Sequence, residues 1–382
     1  MDYVIHRNAV DKFYHNLDII LKELNSNNKI VIFGTNKVSG MMAHYLIKNG
    51  KNVYALIDND TVRQGQRIFG IKVYSPEKCL GEFDDDYRIL IVSGHQQSMV
   101  KQLTDMGYEH DKHIRIVIDL NQEMSDFSFV DRNGYEELSD EEVRKKQINA
   151  LRHLKEVCER NHLKYYLAYG TLLGAVRHKG YIPWDDDIDV FVELEDLKRL
   201  NQVMKDDKEF SLISFVDEDN DYCDEISLFV DCSAIMDNNH FPIQLTTGIT
   251  IDVFCLSGIP DGENEFYEYA QKAKQMEQIK WNKMYNAKEC KAEVMNVLKF
   301  LSQYEFGKTK RVGSILSPYF LREVFDYNSF AHPRELLFEG EYYKAPYDYN
   351  EYLCQIYGED YMLPPPEKER NGHHSYRAYK KY

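Results

Sequence analysis

The segment Leu167–Val192, LAYGTLLGAVRHKGYIPWDDDIDVFV, constrains the fold most because it sets four aspartates in an otherwise apolar stretch. Its apolar end predicts a strand running into Val192, with Asp187 and Asp189 on one face because strand side chains alternate. Asp185 joins them if the strand begins that early. Carboxylates at i and i+2 lie about 6.5 Å apart and, at an effective dielectric of about 20, repel each other by on the order of 2–3 kcal/mol. The folded chain must offset this repulsion.

A divalent cation offsets the repulsion, since carboxylates and substrate phosphates are the ligands that Mg²⁺ prefers, with Mn²⁺ as an alternative. On the acid triplet alone, a solvated acidic strand end or an acidic cap for the next helix is an equally good interpretation. The preceding residues favour the cation. Gly170, Thr171 and Gly174 predict a glycine-bounded turn into a short helix, whose amides and hydroxyl hold phosphate oxygens.

Cations follow this turn closely. Arg177 is predicted to bind substrate phosphate, because a guanidinium suits a bidentate grip and a chain with a net charge of −16 needs a local cation near phosphate. Lys179 is a further candidate that would add a point charge, and Asp185 is counted with the substrate-binding residues. For the two cations, exposure on a loop is the alternative. The roles of Lys179 and His178 stay open.

A third acid should come from a neighbouring strand. In GITIDVFCLSG, Asp252 is a lone carboxylate between Ile251 and Val253, and it is the best candidate for a metal ligand and catalytic acid beside Asp187 and Asp189. Asp231 is a rival that better fits a strand edge. A structural acid paired with an arginine is the alternative for both.

Composition limits the function classes. A chain of 382 residues is long enough for two or three cores, and its net charge argues against a protein that grips nucleic acid over its whole surface. Seven scattered cysteines without a CxxC pair indicate reduced thiols in a cytosolic protein. We find no signal peptide and no apolar run long enough to span a membrane.

Residues 1–120 alternate strand and helix patterns, which predicts a Rossmann-like parallel sheet. The first turn, GTNKVSG, spans Gly34 to Gly40 and lacks the middle glycine of a dinucleotide fingerprint, although Asp58 lies at the distance of a ribose-binding acid. A nucleotide or sugar-nucleotide site is one interpretation, and a purely geometric glycine turn with Asp58 as a cap is slightly favoured. Residues 121–138 are predicted to be a linker. A second domain, 139–382, then opens with a helix whose N-cap is Ser139 and whose capping-box partner is Glu142.

The stretch YYLAYGTLLGAVRHKGYIPWDDDIDVFV closely resembles the signature of the LicD family, whose eukaryotic relatives include fukutin and fukutin-related protein. GITIDVFCLSGIP is similar to the family's second acidic strand. LFEGEYYKAPYDYNEYLCQIYGEDYMLPPPEKERNGHH is similar to its C-terminal block. The resemblance runs from about residue 134 to the end. It implies an α+β nucleotidyltransferase-like domain with added helices, beside a Rossmann-like module of the kind found next to bacterial glycan-modifying enzymes.

The resemblance also implies an activity, the transfer of a phosphorylated alcohol from a nucleotide-activated donor to a glycan. For bacterial members this is phosphocholine from CDP-choline, moved to a sugar of teichoic acid or lipopolysaccharide; ribitol or glycerol phosphate is an alternative headgroup. By position, Asp187 and Asp189 would hold Mg²⁺, Gly170 and Thr171 would lie beneath donor phosphates, and Asp252 would be the further acid. A sugar hydroxyl would attack the donor's β-phosphorus with CMP leaving. The expected location is the cytoplasm, with peripheral contact at the inner membrane face and a lipid-linked acceptor as open possibilities.

Two other functions compete with this one. A metal-dependent glycosyltransferase would use the acids to bind a sugar nucleotide. The long glycine turn before the acids disfavours this function, because such a turn positions phosphate on a nucleotidyltransferase-type sheet. A non-catalytic binding protein is least favoured, because Asp187, Asp189, Asp252 and Arg177 occur together.

The C-terminal block is rich in tyrosine and basic residues. Its tyrosines are predicted mainly to pack against the domain rather than to stack on sugars: Tyr342, Tyr343, Tyr347, Tyr349, Tyr352, Tyr357 and Tyr361. The last residues predict a mobile basic tail that touches phosphate or a membrane surface: Lys368, Arg370, His373, His374, Arg377, Lys380 and Lys381. The histidine pair also suggests a metal, as the less favoured alternative.

Overall fold

The computed structural model describes residues 3–61, 63–68, 70–120, 133–240, 243–283, 287–314, 316, 322–367, 370 and 376–381. The chain forms two compact units. One comprises Ile5–Phe129 and Asn239–Gln244, and the other Met1–Val4, Val130–Asn238 and Leu245–Tyr382. Helices and strands occur in both, so the mixed α/β class predicted from the sequence is confirmed.

The N-terminal part of the chain alternates strands and helices. Its elements are β1 (Val4–His6), α1 (Asn8–Glu23), β2 (Lys29–Phe33), α2 (Lys37–Lys48), β3 (Val53–Ile57), β4 (Arg67–Ile68), β5 (Ile71–Tyr74), α3 (Pro76–Leu80), β6 (Tyr87–Ile91), α4 (Gln96–Asp105) and β7 (Ile114–Ile116). The sheet has the order β4-β5-β3-β2-β6-β7, and its pairings are parallel except that between β4 and β5. Its central strands are mostly buried apolar runs, as parallel strands covered by helices require, although Tyr54 of β3 is exposed.

The turn after β2 satisfies its own polar groups. Gly34 has a φ of +105°, which explains a glycine there. Asn36 caps α2 by accepting a hydrogen bond from the Ser39 amide. The Asp58 carboxylate accepts from the Thr35 hydroxyl at 2.6 Å and from the Asp60 amide at 2.9 Å. These contacts are those expected of a geometric turn with Asp58 as a cap.

The second unit contains a large mixed sheet and a separate two-stranded sheet. Its elements are β8 (Tyr135–Glu137), α5 (Asp140–Arg160), β9 (Tyr165–Leu167), α6 (Tyr169–Arg177), β10 (Asp189–Glu193), α7 (Leu194–Met204), β11 (Phe210–Ile213), β12 (Ser227–His240), β13 (Ile243–Ile259), α8 (Glu263–Lys283), α9 (Ala287–Leu301), β14 (Arg311–Gly313), β15 (Val324–Asp326), α10 (Asn328–Ala331), β16 (Arg334–Phe338), β17 (Glu341–Ala345), α11 (Tyr349–Tyr357) and β18 (Tyr376–Lys381). The large sheet runs β15-β14-β13-β12-β18-β8. Strand β10 pairs with β13 and β9, and β11 with β12.

The start of α5 agrees with the sequence prediction. Ser139 is the N-cap, and its side chain and that of Glu142 form a complete capping box. The helix buries an apolar stripe that includes Val143, Leu151 and Leu154. This stripe packs α5 against the sheet that carries the acids.

Two segments predicted to be irregular contain strands where the structure describes them. In the linker predicted over 121–138, residues 121–132 lie outside the described residues, but Tyr135–Glu137 form β8. In the basic tail, Lys368, His373 and His374 lie outside the described residues, while Tyr376–Lys381 form β18, which pairs with β12 and β8. The physical reason is strand alternation around Ala378, which is 2% exposed and packs in a small apolar cluster.

All seven cysteines are free thiols, as predicted. Among the described residues, we find no helix that combines the length and the apolar character needed to cross a bilayer.

Candidate active site

Two adjacent strands bring a carboxylate each to the same level of the sheet. Strands β10 and β13 are parallel, and Asp189 at the start of β10 faces Asp252. The strand is held on both sides: the Asp252 amide donates to the Ile188 carbonyl, and the Ala168 amide donates to the Asp189 carbonyl. The residues that follow Asp189, Val190 to Val192, are fully buried. Apolar packing of β10 therefore fixes Asp189 beside Asp252.

The other three aspartates lie in the loop that precedes β10. The strand begins at Asp189 and not earlier, so the prediction of a strand face shared by Asp187 and Asp189 is corrected. In this loop, Asp185, Asp186 and Asp187 each offer a carboxylate oxygen, and these oxygens lie within 4.8 Å of one another. Asp186 was not singled out from the sequence as a ligand. The loop and the two strands together gather five acids, which we call the acid cluster: Asp185, Asp186, Asp187, Asp189 and Asp252.

Asp189 carries the strongest electrostatic penalty in this cluster. Its side chain is buried, with 7% exposed. Burial raises the pKa of the Asp189 carboxyl well above its usual range, and the negative charges of Asp187, Asp252 and Asp185 raise it further. A hydrogen bond from the Gly170 amide acts in the opposite direction. A bound cation would relieve this repulsion, because an opposite charge nearby favours the ionised carboxylate.

The amino end of α6 closes one side of the acid cluster. A helix begins directly at Tyr169, so the predicted glycine-bounded turn is instead the first turn of this helix. A Cβ on Gly170 would lie 2.5 Å from Asp185 Oδ2, which explains the glycine by the close approach of a carboxylate. The Thr171 hydroxyl is buried and accepts a hydrogen bond from the Asp189 amide at 2.8 Å. Gly170 and Thr171 thus contact the acids themselves.

Three predicted substrate-binding residues lie further along the chain. Gly174 packs against a loop, since a Cβ there would lie 2.4 Å from the Gly180 carbonyl oxygen. Arg177, the last residue of α6, donates to the Tyr361 carbonyl and lies 5.9 Å from the Trp184 ring centroid. Lys179 is exposed, and its ammonium donates to the Val176 carbonyl. This contact holds the Lys179 ammonium at the carboxyl end of α6.

A buried amide that no sequence motif marks lies beside the acids. Gln147 of α5 is 2% exposed, and its Nε2 donates to the Asp186 carbonyl at 3.1 Å and to the Thr250 carbonyl at 3.4 Å. Its Oε1 accepts from the Tyr181 hydroxyl at 2.9 Å. Gln147 therefore ties the acid loop to the strand that carries Asp252. A signal was present, because a polar side chain within the apolar stripe of a helix needs buried partners.

A buried glutamate lies behind the same helix. Glu323 is fully buried and accepts hydrogen bonds from the hydroxyls of Tyr169 at 2.8 Å and Tyr352 at 3.4 Å. Tyr169 adopts a φ of +38°, which is rare for a residue with a side chain. The Glu323 contact therefore holds the residue that starts α6 in this unusual conformation. No sequence motif marked Glu323.

Asp231 and several tyrosines of the C-terminal block contact other parts of the protein. Asp231 lies on β12 and accepts hydrogen bonds from the amide and the hydroxyl of Ser233. In the C-terminal block, Tyr343, Tyr352 and Tyr361 are buried, which confirms packing for these three. Tyr342 and Tyr347 are more than half exposed, at 58% and 51%. The predicted packing against the domain therefore does not explain Tyr342 and Tyr347.

Strand-borne carboxylates beside a helix amino end, on a mixed sheet, are the arrangement expected of a nucleotidyltransferase-type domain. Residues 162–254 match the family model described as LicD/FKTN/FKRP, nucleotidyltransferase domain. This segment holds all five acids, Gly170 and Arg177. The chain therefore contains a segment similar to the LicD-type nucleotidyltransferase domain, and its likeness to a LicD cholinephosphotransferase supports a phosphotransferase enzyme. Residues 26–114 match a second model, that of the N-terminal part of C2185-like proteins.

Three individual proteins are similar to this chain. The chain is 28% identical over 261 residues to the lipopolysaccharide cholinephosphotransferase LicD of Haemophilus influenzae, an alignment that covers 61% of this chain and 94% of the relative. It is 42% identical over 52 residues to the ribitol 5-phosphate transferase FKRP of Homo sapiens, covering 14% of this chain and 10% of that protein. The protein RP689 of Rickettsia prowazekii is 42% identical over 79 residues, covering 18% of this chain and 30% of that protein.

Proposed function

We propose that this enzyme transfers phosphocholine from CDP-choline to a sugar of a cell-surface glycan, a teichoic acid or lipopolysaccharide precursor. The observation that carries the proposal is the facing pair Asp189 and Asp252 within the acid cluster. Likeness to a cholinephosphotransferase along nearly the whole length of that relative supports the choice of headgroup.

The acid cluster fits a divalent cation by its chemistry. Carboxylate oxygens are the hard ligands that Mg²⁺ and Mn²⁺ take, and the charges around buried Asp189 repel one another without a counter-ion. Asp187, Asp189 and Asp252 would hold the metal, with Asp185 and Asp186 within reach of the same place. When bound, Mg²⁺ supplies charge neutralisation at the donor phosphates.

The chain's own residues account for the rest of the reaction. The acceptor hydroxyl oxygen forms a bond to the donor's β-phosphorus, the bond from that phosphorus to the bridging oxygen breaks, and CMP leaves. Asp252 is partly exposed and accepts the hydroxyl proton. Thr171 and Gly170 keep Asp189 and Asp185 in place, and Arg177 contributes positive charge on the donor side.

The N-terminal residues 1–120 are proposed to be a Rossmann-like module attached to a catalytic domain of residues 139–382. The parallel order of β5, β3, β2, β6 and β7 supports this proposal. We further propose that the enzyme works in the cytoplasm, in peripheral contact with the membrane when its acceptor is lipid-linked, and that it takes no nucleic acid.

CMP release tests the proposed function. Purified enzyme is given CDP-choline, CDP-ribitol, CDP-glycerol and UDP-sugars in parallel, with Mg²⁺ or with EDTA, and a glycan acceptor extract. We expect Mg²⁺-dependent CMP release that is fastest with CDP-choline. Faster release from CDP-ribitol would instead favour the activity named for the human relative. Nucleotide release from UDP-sugars alone would make the enzyme a glycosyltransferase and contradict the proposal.

A further inference from the structure

Two arginines from distant parts of the chain meet at one indole ring. The guanidinium carbon of Arg370 lies 5.1 Å from the Trp184 ring centroid, and that of Arg177 lies 5.9 Å from it. Each arginine is held in place by a carbonyl: Arg370 Nε donates to Pro365, and Arg177 Nη1 donates to Tyr361. Both guanidiniums are therefore fixed by the protein at Trp184.

The charges of these arginines are not neutralised by a carboxylate at ion-pair distance among the described residues. Each guanidinium repels the other, and burial adds to this effect by lowering the pKa of Arg177. The third basic group here is His178, whose ring meets Trp184 edge-on and whose pKa is lowered by burial and by Arg177. His178 Nδ1 accepts from Arg177 Nε at 3.4 Å, so it too adds no negative charge.

Most of the donor capacity of the pair is unused within the described residues. A guanidinium carries five N–H donors in a fixed fork. Arg370 directs one of them to a carbonyl, and Arg177 directs two, to Tyr361 and His178. The forked donors of each guanidinium match the oxygens of a phosphate group, which accepts such bonds in pairs.

The pair also lies next to the acid cluster. Trp184 directly precedes Asp185 in the chain, and the Asp185 carboxylate acts electrostatically on Arg177. Positive charge and a metal-binding arrangement of carboxylates therefore adjoin. A diphosphate spanning the two would place some of its oxygens toward the metal and others toward the arginines.

We propose that Arg177 and Arg370, held against Trp184, form an anion site that binds the diphosphate of the nucleoside diphosphate donor. The proposal deepens the proposed function and rests on its nucleotide donor, but not on its headgroup. It adds Arg370 and Trp184 to the substrate site and gives the C-terminal segment a direct role in donor binding.

Calorimetric titration tests the site without turnover. Wild-type enzyme, Arg177→Gln, Arg370→Gln and Arg370→Lys are titrated with CDP, inorganic pyrophosphate and cytidine in Mg²⁺. We expect each Gln variant to bind CDP and pyrophosphate about 10- to 100-fold more weakly, since each loses charge-assisted hydrogen bonds, while cytidine binding is unchanged. Arg370→Lys keeps the charge but loses the fork, so it should be intermediate.

Arg334→Gln is the matched control, because Arg334 also packs on aromatic rings, those of Tyr347 and Tyr349, on an exposed strand. It should bind CDP like the wild type. Melting temperatures show whether each variant is folded. If folded Arg177→Gln and Arg370→Gln bind CDP and pyrophosphate as tightly as the wild type, the anion site is wrong even when CDP-choline is turned over. If the wild type binds CDP but releases CMP from no donor, the proposed function fails and the anion site stands.

Discussion

Asp189 and Asp252 face each other across two adjacent parallel strands. Neither acid is placed by a loop of its own, because apolar residues on both strands fix the register. The carboxylates of Asp185, Asp186 and Asp187 converge just before the first of these strands. Burial, together with the charges of Asp187, Asp252 and Asp185, raises the pKa of Asp189, and the gathering of these acids is the feature from which the proposed metal site follows.

Removing a carboxylate of the acid cluster should lower activity without lowering stability. We expect Asp187→Asn and Asp189→Asn to lower kcat about a thousand-fold or more, because each loses a metal ligand. Asp189→Asn should be at least as stable as the wild type in EDTA, since it removes a crowded buried charge. Asp219→Asn, which changes an exposed acid paired with Lys205, is the control and should retain activity. A variant that keeps the wild-type rate removes its residue from the metal site.

Two glycines in α6 should respond differently to alanine. In Gly170→Ala the new Cβ meets the Asp185 side chain, so we expect a folded protein with strongly reduced activity. In Gly174→Ala it meets the backbone carbonyl of Gly180, which has less freedom to move, so we expect a lower free energy of unfolding. Urea unfolding and CMP release on both variants check this. Equal stability losses in the two variants would contradict it.

Gln147→Met should change the positions of the acids, although Gln147 itself does not contact substrate. It removes the amide that joins the Asp186 and Thr250 carbonyls, and it leaves buried groups without partners. We expect a loss of about 1–3 kcal/mol in the free energy of unfolding. We also expect weaker Mg²⁺ binding by calorimetry, because the acid loop is no longer tied to the strand of Asp252. The control is Gln102→Met, which removes an amide at a partly exposed position where it donates to the Asn59 and Glu77 side chains. Unchanged Mg²⁺ affinity in folded Gln147→Met would argue against a positioning role.

Glu323 should make stability depend on pH. Burial raises the pKa of its carboxyl to about 8, and hydrogen bonds from Tyr169 and Tyr352 offset this only partly. The unfolded chain releases this proton near the usual pKa of about 4.3, so the stabilising contribution is complete below that pH and is lost as pH rises toward 8. The loss is on the order of 3–5 kcal/mol.

Glu323→Gln keeps a neutral group at this position at every pH. Its free energy of unfolding relative to the wild type should therefore increase between pH 5 and pH 8 in urea titrations. Glu335→Gln, at an exposed position on β16, should show no such trend. A constant difference between Glu323→Gln and the wild type across this range would contradict the assignment.

Local patterns in the sequence predicted much of this fold. The capping box of Ser139 and Glu142, the apolar strands and the lone Asp252 in β13 are encoded by neighbouring residues, and sequence reasoning found them. The start of β10 was placed too early, because alternation alone does not show where pairing with a neighbour begins. The glycines of α6 predict a turn before the helix, whereas they reflect tertiary contacts with Asp185 and Gly180.

The supporting residues were harder to predict. Gln147 and Glu323 act through partners far away in the chain, at Asp186, Thr250, Tyr169 and Tyr352. The same holds for the meeting of Arg177 and Arg370 at Trp184. The final strand, β18, depends on pairing with β12 and β8, so its basic residues alone suggested a tail.

A crystal of the enzyme soaked with Mn²⁺ and CDP tests the central claim most directly. The measurement is the anomalous difference density of manganese. We predict a peak bonded to the carboxylates of Asp187, Asp189 and Asp252, with the diphosphate of CDP completing the ligands. Density for the metal and nucleotide elsewhere, with these side chains turned away from one another, would contradict the account.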